Sequence, residues 1–337
     1  MVQVIRMEKR RTIGYRYLLS EQIGEGAVAT IWRAFDLVED RSVAIKLLKD
    51  VLDPEDAARL QMEVAIVARL RHPNIIRFLD QGVTDRGRRY VVMELLEGES
   101  LRDRLRSDLV FSIEEGVPIL IQMVSALYEA HKANVVHRDV KPENVFLVFR
   151  PGCPLVKLLD FGMAKVMGGG GPSLTMSGVL FGTPHYMAPE RIRGEEARPA
   201  SDVYSAAIIA FEMFCARRPF DGKSAEDVMR QHLLGHPPRP CRHIPKKIAG
   251  LIQDAMSSRP EHRPTSAQML AALGAAFPSS SPAIPDEHED EGDFTTRNER
   301  EDEGDFTTRN EREDEGDVTT RNEREDDADA ADPDTTG

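Results

Sequence analysis

The spacing of apolar residues changes along this chain and then gives out, and this constrains the fold more than any single motif. Over residues 15–95 apolar side chains alternate or run in short blocks separated by turn residues: "YLLSEQIGEG", "ATIWRAFDL", "SVAIKLL" and "RYVVMELLE". Such blocks predict β-strands. One segment breaks the pattern. "PEDAARLQMEVAIVARLR" has apolar residues at helical spacing, an acidic first turn and a basic last turn, and predicts one helix. From Ser100 to Phe277 the spacing is mostly helical, interrupted by the glycine run at 168–171. The longest apolar stretch, "VPILIQMVSALYEA", predicts a buried helix.

After Phe277 the pattern ends. Residues 278–288, containing "PSSSPAIP", read as a Pro/Ser linker. The tail at 289–337 then repeats "EDEGDFTTRNER" twice and "EDEGDVTTRNER" once, with a period of twelve from Glu289 to Arg324. Each repeat has one large apolar residue, Phe294, Phe306 or Val318. One such side chain cannot offset the entropy of ordering twelve residues, so the tail is predicted to be disordered rather than a solenoid. Charge divides at the same place. From Asp286 onward there are 23 acidic and 6 basic residues, against 34 acidic and 38 basic before it. The net charge of −13 therefore belongs to the tail, and the body is mildly basic.

Three cysteines, Cys153, Cys215 and Cys241, are odd in number and lack metal-ligand spacing, which fits a reduced compartment. The N-terminal "MVQVIRMEKRRTIGYRY" has no uninterrupted apolar core, so it does not read as a signal peptide. No run of eighteen apolar residues occurs. A soluble, cytoplasmic protein is expected, with neither membrane nor nucleic acid as a partner.

Chemistry-bearing residues recur in order through the body. In "IGEGAVATI", Gly24 and Gly26 between two strands allow a tight turn and close approach of backbone to phosphate oxygens, although two glycines in a hairpin are usually only a turn. In "VAIK", Lys46 sits in an apolar strand where an unpartnered charge is costly, and the following helix supplies Glu63. In "VVHRDVKPENVF", Asp139, Lys141 and Asn144 put a base, a cation and an amide oxygen in one loop, a set suited to phosphoryl transfer. After a strand hairpin, "LLDFGMAK" places Asp160 at a strand end, where its carboxylate can face a metal. "GTPHYMAPE" closes the series at Gly182 to Glu190.

This order of blocks resembles the eukaryotic-type protein kinase family, in the style of the bacterial serine/threonine kinases. "SDVYSAA" and "RPEHRPT" extend the match, which covers residues 15–277. The resemblance implies an α+β, two-lobed protein kinase fold: a small β-rich N-lobe with one helix (15–95), and a large, mainly helical C-lobe (97–277). It implies an ATP-dependent enzyme that transfers the γ-phosphoryl group to protein Ser or Thr hydroxyls. The alternative is a kinase-shaped scaffold without turnover, raised by Ala29, which replaces the third glycine of the family's loop.

Residue by residue, the resemblance assigns the ATP site to Ile23, Gly24, Gly26, Ala29, Ile31, Ala44, Lys46, Glu63, Met93, Glu94, Leu96 and Phe146. Glu63 would hold Lys46 against the α- and β-phosphates. Ile31, Ala44 and Phe146 would sandwich adenine, Met93 would stand behind it, and backbone groups of Glu94 and Leu96 would bond its edge. Asn144 and Asp160 would hold Mg²⁺, with Mn²⁺ able to substitute. Asp139 would accept the substrate proton beside Lys141. Lys141 and Thr183 point to Ser/Thr specificity. Val67, Phe78, His137 and Phe161 would stack between the lobes, Asp202 would anchor the catalytic loop, and Glu190 would pair with Arg263.

Two further expectations concern phosphorylation. Arg138 and Lys165 form a cationic setting for a phosphate on "GGGGPSLTMSGVLFGTP", where Thr175 and Ser177 are the favoured acceptors over Ser173. In the tail, Thr295, Thr296, Thr307, Thr308, Thr319 and Thr320 are tethered near the active site. Once phosphorylated they would suit forkhead-associated phosphothreonine-binding proteins. An acidic solubilising tail and an autoinhibitory one are the competing readings.

Overall fold

The computed structural model describes residues 12–107, 110–161 and 184–278. Five strands that alternate along the sequence, β1 (Thr12–Ile13), β2 (Tyr17–Glu25), β3 (Ala29–Asp36), β4 (Arg41–Leu48) and, after a helix, β5 (Phe78–Val83), join β6 (Arg89–Glu94) in one antiparallel sheet. Its order is β1-β2-β3-β4-β6-β5. Register places Ile31 opposite Lys46 and Ala44 opposite Met93, so residues far apart in sequence share the wall of one cleft.

The helix α1 (Pro54–Val67) crosses beneath the sheet. Asp53 caps it through the Asp56 amide, and Pro54 pre-sets its first turn. It ends earlier than the sequence predicts. Ala68 closes it, and Arg69 and Arg71, expected in its last turn, lie beyond its end. His72-Pro73 follows at once, and a proline disfavours helical backbone in the residue before it. Leu60, Val64 and Val67 are buried, while Met62 and Ile66 face outward.

A short strand β7 (Gly98–Ser100) and α2 (Leu101–Leu105) lead into the large lobe. There α3 (Ile113–Lys132), opened by a reciprocal Ser112–Glu115 capping box, carries the apolar stretch predicted to be buried. The hairpin β8 (Val145–Val148) and β9 (Leu155–Leu158) pairs with β7. Gly98 makes that pairing possible, because a Cβ there would overlap the Leu147 carbonyl. The short α4 (Pro189–Ile192) precedes α5 (Pro199–Cys215), whose side chains are buried from Ser201 to Phe214. Three more helices complete the lobe: α6 (Ala225–Leu234), α7 (Lys246–Ala255) and α8 (Ser266–Ala276).

The main apolar core is continuous across the two lobes. It runs from Ala29, Ala44 and Val64 through Phe78 and Phe161 to Phe211 and Leu273. A second, smaller core covers the outer face of the sheet, around Tyr17, Val43, Ile45, Tyr90 and Val92. No helix among the described residues is long and apolar enough to cross a membrane.

Candidate active site

The loop between α3 and β8 holds Asp139, and its backbone is pinned from below. Asp202, 1% exposed in the first turn of α5, accepts hydrogen bonds from the amides of His137 (2.8 Å) and Arg138 (2.9 Å). His131 at the end of α3 adds a third contact, its Nε2 2.9 Å from Asp202 and its Nδ1 2.9 Å from the Ser266 hydroxyl. Motif reading missed His131, because nothing local marks a residue 71 positions from its partner. Arg138 adopts a left-handed φ of 71°, and the two fixed amides, its own and that of His137, restrain the backbone leading into it.

Asp139 is half-exposed and has two neighbours from its own loop. Lys141 Nζ donates to its carboxylate at 2.7 Å. Asn144 donates to its backbone carbonyl at 2.7 Å and to its carboxylate at 3.0 Å. The Asn144 amide oxygen is left for other use. Asp160 follows β9, with a left-handed φ of 58° and its carboxylate 2.7 Å from Lys46 Nζ. Burial raises the Asp160 pKa, but the Lys46 ammonium, with His137 and Lys141, outweighs it and holds the carboxyl below its ordinary range. Asp160 is thus an anion facing the cleft. One carboxylate plus one amide oxygen suits a hard divalent cation that completes its shell with phosphate oxygens and water. No larger cluster of His, Cys, Asp or Glu able to hold a metal occurs among the described residues.

One expected pairing is not made. Glu63 does not hold Lys46. Its carboxylate accepts from Arg138 Nη1 at 3.0 Å, and its other oxygen is buried without a partner. Lys46, 7% exposed, pairs with Asp160 instead, and the Arg138 guanidinium supplies the charge that the half-buried Glu63 needs.

The rest of the cleft assembles as register dictates. Ala44 and Met93 are buried, and Ile31 and Phe146 half-buried. Ile23 is exposed at the mouth. The Glu94 side chain is engaged by Lys157 (2.7 Å) and the Arg77 amide (2.8 Å), and Leu96 lies half-buried in the link to β7. The loop turns through the bond from the Gly26 amide to the Ala29 carbonyl, 2.9 Å. Gly24, Gly26 and Ala29 all avoid positive φ. Ala29 is extended, buried and paired with Leu48, so alanine costs nothing conformationally at that position.

The remaining structural expectations form contacts. Val67, Phe78, His137 and Phe161 are all buried, with the His137 and Phe161 rings 4.4 Å apart. Arg263 makes two bonds to Glu190, at 2.7 and 2.8 Å, and both side chains are fully buried. Lys165, Ser173, Thr175, Ser177, Thr183 and the six tail threonines lie outside the described residues, as does the predicted disorder of 289–337.

A protein kinase domain model matches residues 17–273. The chain therefore belongs to the protein kinase family. It is 38% identical over 272 residues to the serine/threonine-protein kinase pkn3 of Myxococcus xanthus, covering 78% of this chain and 50% of that protein. It is 34% identical over 273 residues to the serine/threonine-protein kinase PrkC of Bacillus subtilis, covering 79% and 41%. With the serine/threonine-protein kinase PknA of Mycobacterium tuberculosis it shares 36% identity over 271 residues, covering 79% and 62%. The chain spans about half the length of the curated relatives it matches.

Proposed function

We propose that this chain is an ATP-dependent protein kinase that phosphorylates Ser and Thr hydroxyls of proteins. The observation that carries the reading is the Lys46–Asp160 ion pair across the cleft, facing the Asp139–Lys141–Asn144 cluster. Asp139 receives the proton of the acceptor hydroxyl as the oxygen attacks the γ-phosphorus, and Lys141 steadies the charge beside it. Lys46 grips the nucleotide phosphates, and the backbone around Glu94 and Leu96 orients the adenine over Phe146. Asn144 and Asp160 would hold Mg²⁺, or Mn²⁺ in its place, which supplies positive charge to the phosphoryl oxygens. The names and identities of the relatives support the Ser/Thr class. No observation favours the scaffold reading, since Lys46, Asp139, Asn144 and Asp160 are all present and converge.

The reading extends to the segments outside the described residues. Activity rises when Thr175 or Ser177 is phosphorylated, and the tail threonines serve as autophosphorylation sites that recruit phosphothreonine-binding proteins in the cytoplasm. The test is incubation of the purified chain with labelled ATP and Mg²⁺, followed by mapping of phosphosites. Asp139→Asn and Lys46→Met should both abolish labelling. Wild-type labelling by Asp139→Asn would defeat the mechanism.

A further inference from the structure

Charged groups beside the catalytic loop that the transfer does not use converge on one side chain. Arg102 is an early residue of α2, with only 11% of its side chain exposed. Its Nε donates to Glu143 at 2.9 Å, its Nη1 to Glu212 at 3.1 Å, and its Nη2 to the Tyr186 hydroxyl. Its guanidinium also lies over the Tyr186 ring, 5.6 Å from the centroid. The Tyr186 hydroxyl donates in turn to Glu212, and Arg218 stands 3.4 Å from the same carboxylate. Every donor of Arg102 named here is satisfied within the chain.

The location gives this cluster its interest. Glu143 belongs to the catalytic loop, between Lys141 and Asn144, which both touch Asp139. It is 41% exposed. Glu212 is a buried residue of α5, 7% exposed, and Tyr186 lies three residues after the segment 162–183. A peptide that brings a hydroxyl to Asp139 sets its flanking residues beside Glu143, because both belong to one short loop. Two carboxylates converging at such a place would bind the guanidinium or ammonium of a substrate, through charge-assisted hydrogen bonds. Arg102 already occupies that position. Burial opposes its charge, but Tyr186, Glu143 and Glu212 more than offset this and hold its proton tightly. With Arg218, the cluster is electrically balanced.

We propose that Arg102 is a specificity-determining residue: it fills, from within the chain, the dicarboxylate site that a basic residue flanking the phosphoacceptor would use, so that Arg- and Lys-flanked acceptors gain nothing. The inference rests on the kinase reading above and narrows it to acceptors with neutral or acidic flanks.

The test compares peptides that share one Ser/Thr acceptor and differ only in flanks of Arg, Ala or Glu. In the wild-type chain the Arg peptide should show no advantage in kcat/KM over the Ala peptide. In Arg102→Met the ratio of the two should rise by about tenfold or more, through KM, as a charged hydrogen-bonding site opens. Arg102→Met with Glu143→Gln should lose most of that gain. A residue that only braces the fold would lower kcat/KM for all three peptides together, and an unchanged ratio overturns the proposal. So does a wild-type chain that already prefers Arg flanks tenfold, a result that needs no variant and so survives misfolding of Arg102→Met. Binding of the same peptides by fluorescence anisotropy reads the preference without turnover. A chain that transferred no phosphate would therefore sink the functional reading while still deciding this one.

Discussion

Replacing Arg263 with methionine should produce a loss of stability whose size and pH dependence both follow from one buried ion pair. The guanidinium makes two bonds to Glu190, one to the Ala200 carbonyl at 2.9 Å and one to the Ser257 carbonyl at 2.8 Å. Arg263→Met keeps much of the stem but leaves the Glu190 carboxylate fully buried, with the Ser201 hydroxyl and the backbone amide of Glu190 donating to it and no cation beside it. Removing one partner of a buried pair costs about 3–5 kcal/mol, mostly because the other charge is stranded. For a domain of this size about 2–4 °C is lost per kcal/mol, so the thermal midpoint of the full chain should fall by about 6–20 °C in calorimetry at pH 7. Acid then separates wild type from variant. Burial raises the pKa of Glu190, but Arg263 and Ser201 overcome this and depress it below its ordinary value. In the wild type its contribution is present above the unfolded value and is lost only as pH falls through the depressed folded one. In the variant the cation is gone, burial dominates, and the folded pKa rises above the unfolded value. Lowering the pH from 7 toward 5 then stabilises the variant relative to wild type, and the gap between their midpoints narrows. A loss under about 2 °C, well below the worked range, or a gap that is constant or widens in acid, would refute the reasoning.

Three other outcomes are expected. Asp202→Ala strands the amides of His137 and Arg138 and loosens the loop that holds Asp139, so kcat should drop by about 10²-fold while nucleotide affinity is retained; equal kcat would show that the loop holds itself. His232 is 1% exposed, bonded to the Tyr204 hydroxyl at 2.7 Å, and burial followed by the field of His185 pushes its pKa down to about 3. Its unfolded form takes a proton that the folded form refuses, so its contribution to stability should fall as pH drops below about 6.5, at up to about 1.4 kcal/mol per pH unit; His72 and His185, also depressed by burial, act in the same direction, so His232→Gln should reduce the slope without abolishing it in acid titrations followed by circular dichroism. Gly98→Ala should push β7 off β8 and weaken nucleotide binding measured by calorimetry, and unaltered affinity would remove Gly98 from the account of the cleft.

What the sequence made legible was local. Strands β2, β3, β4 and β6 follow from their apolar alternation, and α3 from its unbroken apolar face. The Asp139 loop could be read because its partners, Lys141 and Asn144, lie within five residues. Strand β5 escaped notice because "FLDQGV" is too polar to alternate; it pairs because β6 offers an open edge, with a bulge between Phe78 and Asp80. Choice among long-range partners was invisible as well. Glu63 has Lys46 and Arg138 as candidate cations, and only three-dimensional placement assigns it Arg138, 75 residues away. Arg102 looked like an ordinary helix residue because its two carboxylates come from separate parts of the chain, 41 and 110 positions distant.

Asp160 holds its left-handed backbone at the junction of the two lobes. A non-glycine residue in that region stores of order 1–3 kcal/mol and stays there only under restraint. The restraints lie on either side: Lys46 draws its carboxylate toward the small lobe, and Phe161 is seated on His137 in the large one. Asp160 therefore behaves as a cocked spring whose two catches belong to different lobes. Loss of either contact would remove one of the two restraints on that backbone. Under the proposed function, one of the two residues that would hold the metal is therefore positioned by both lobes at once.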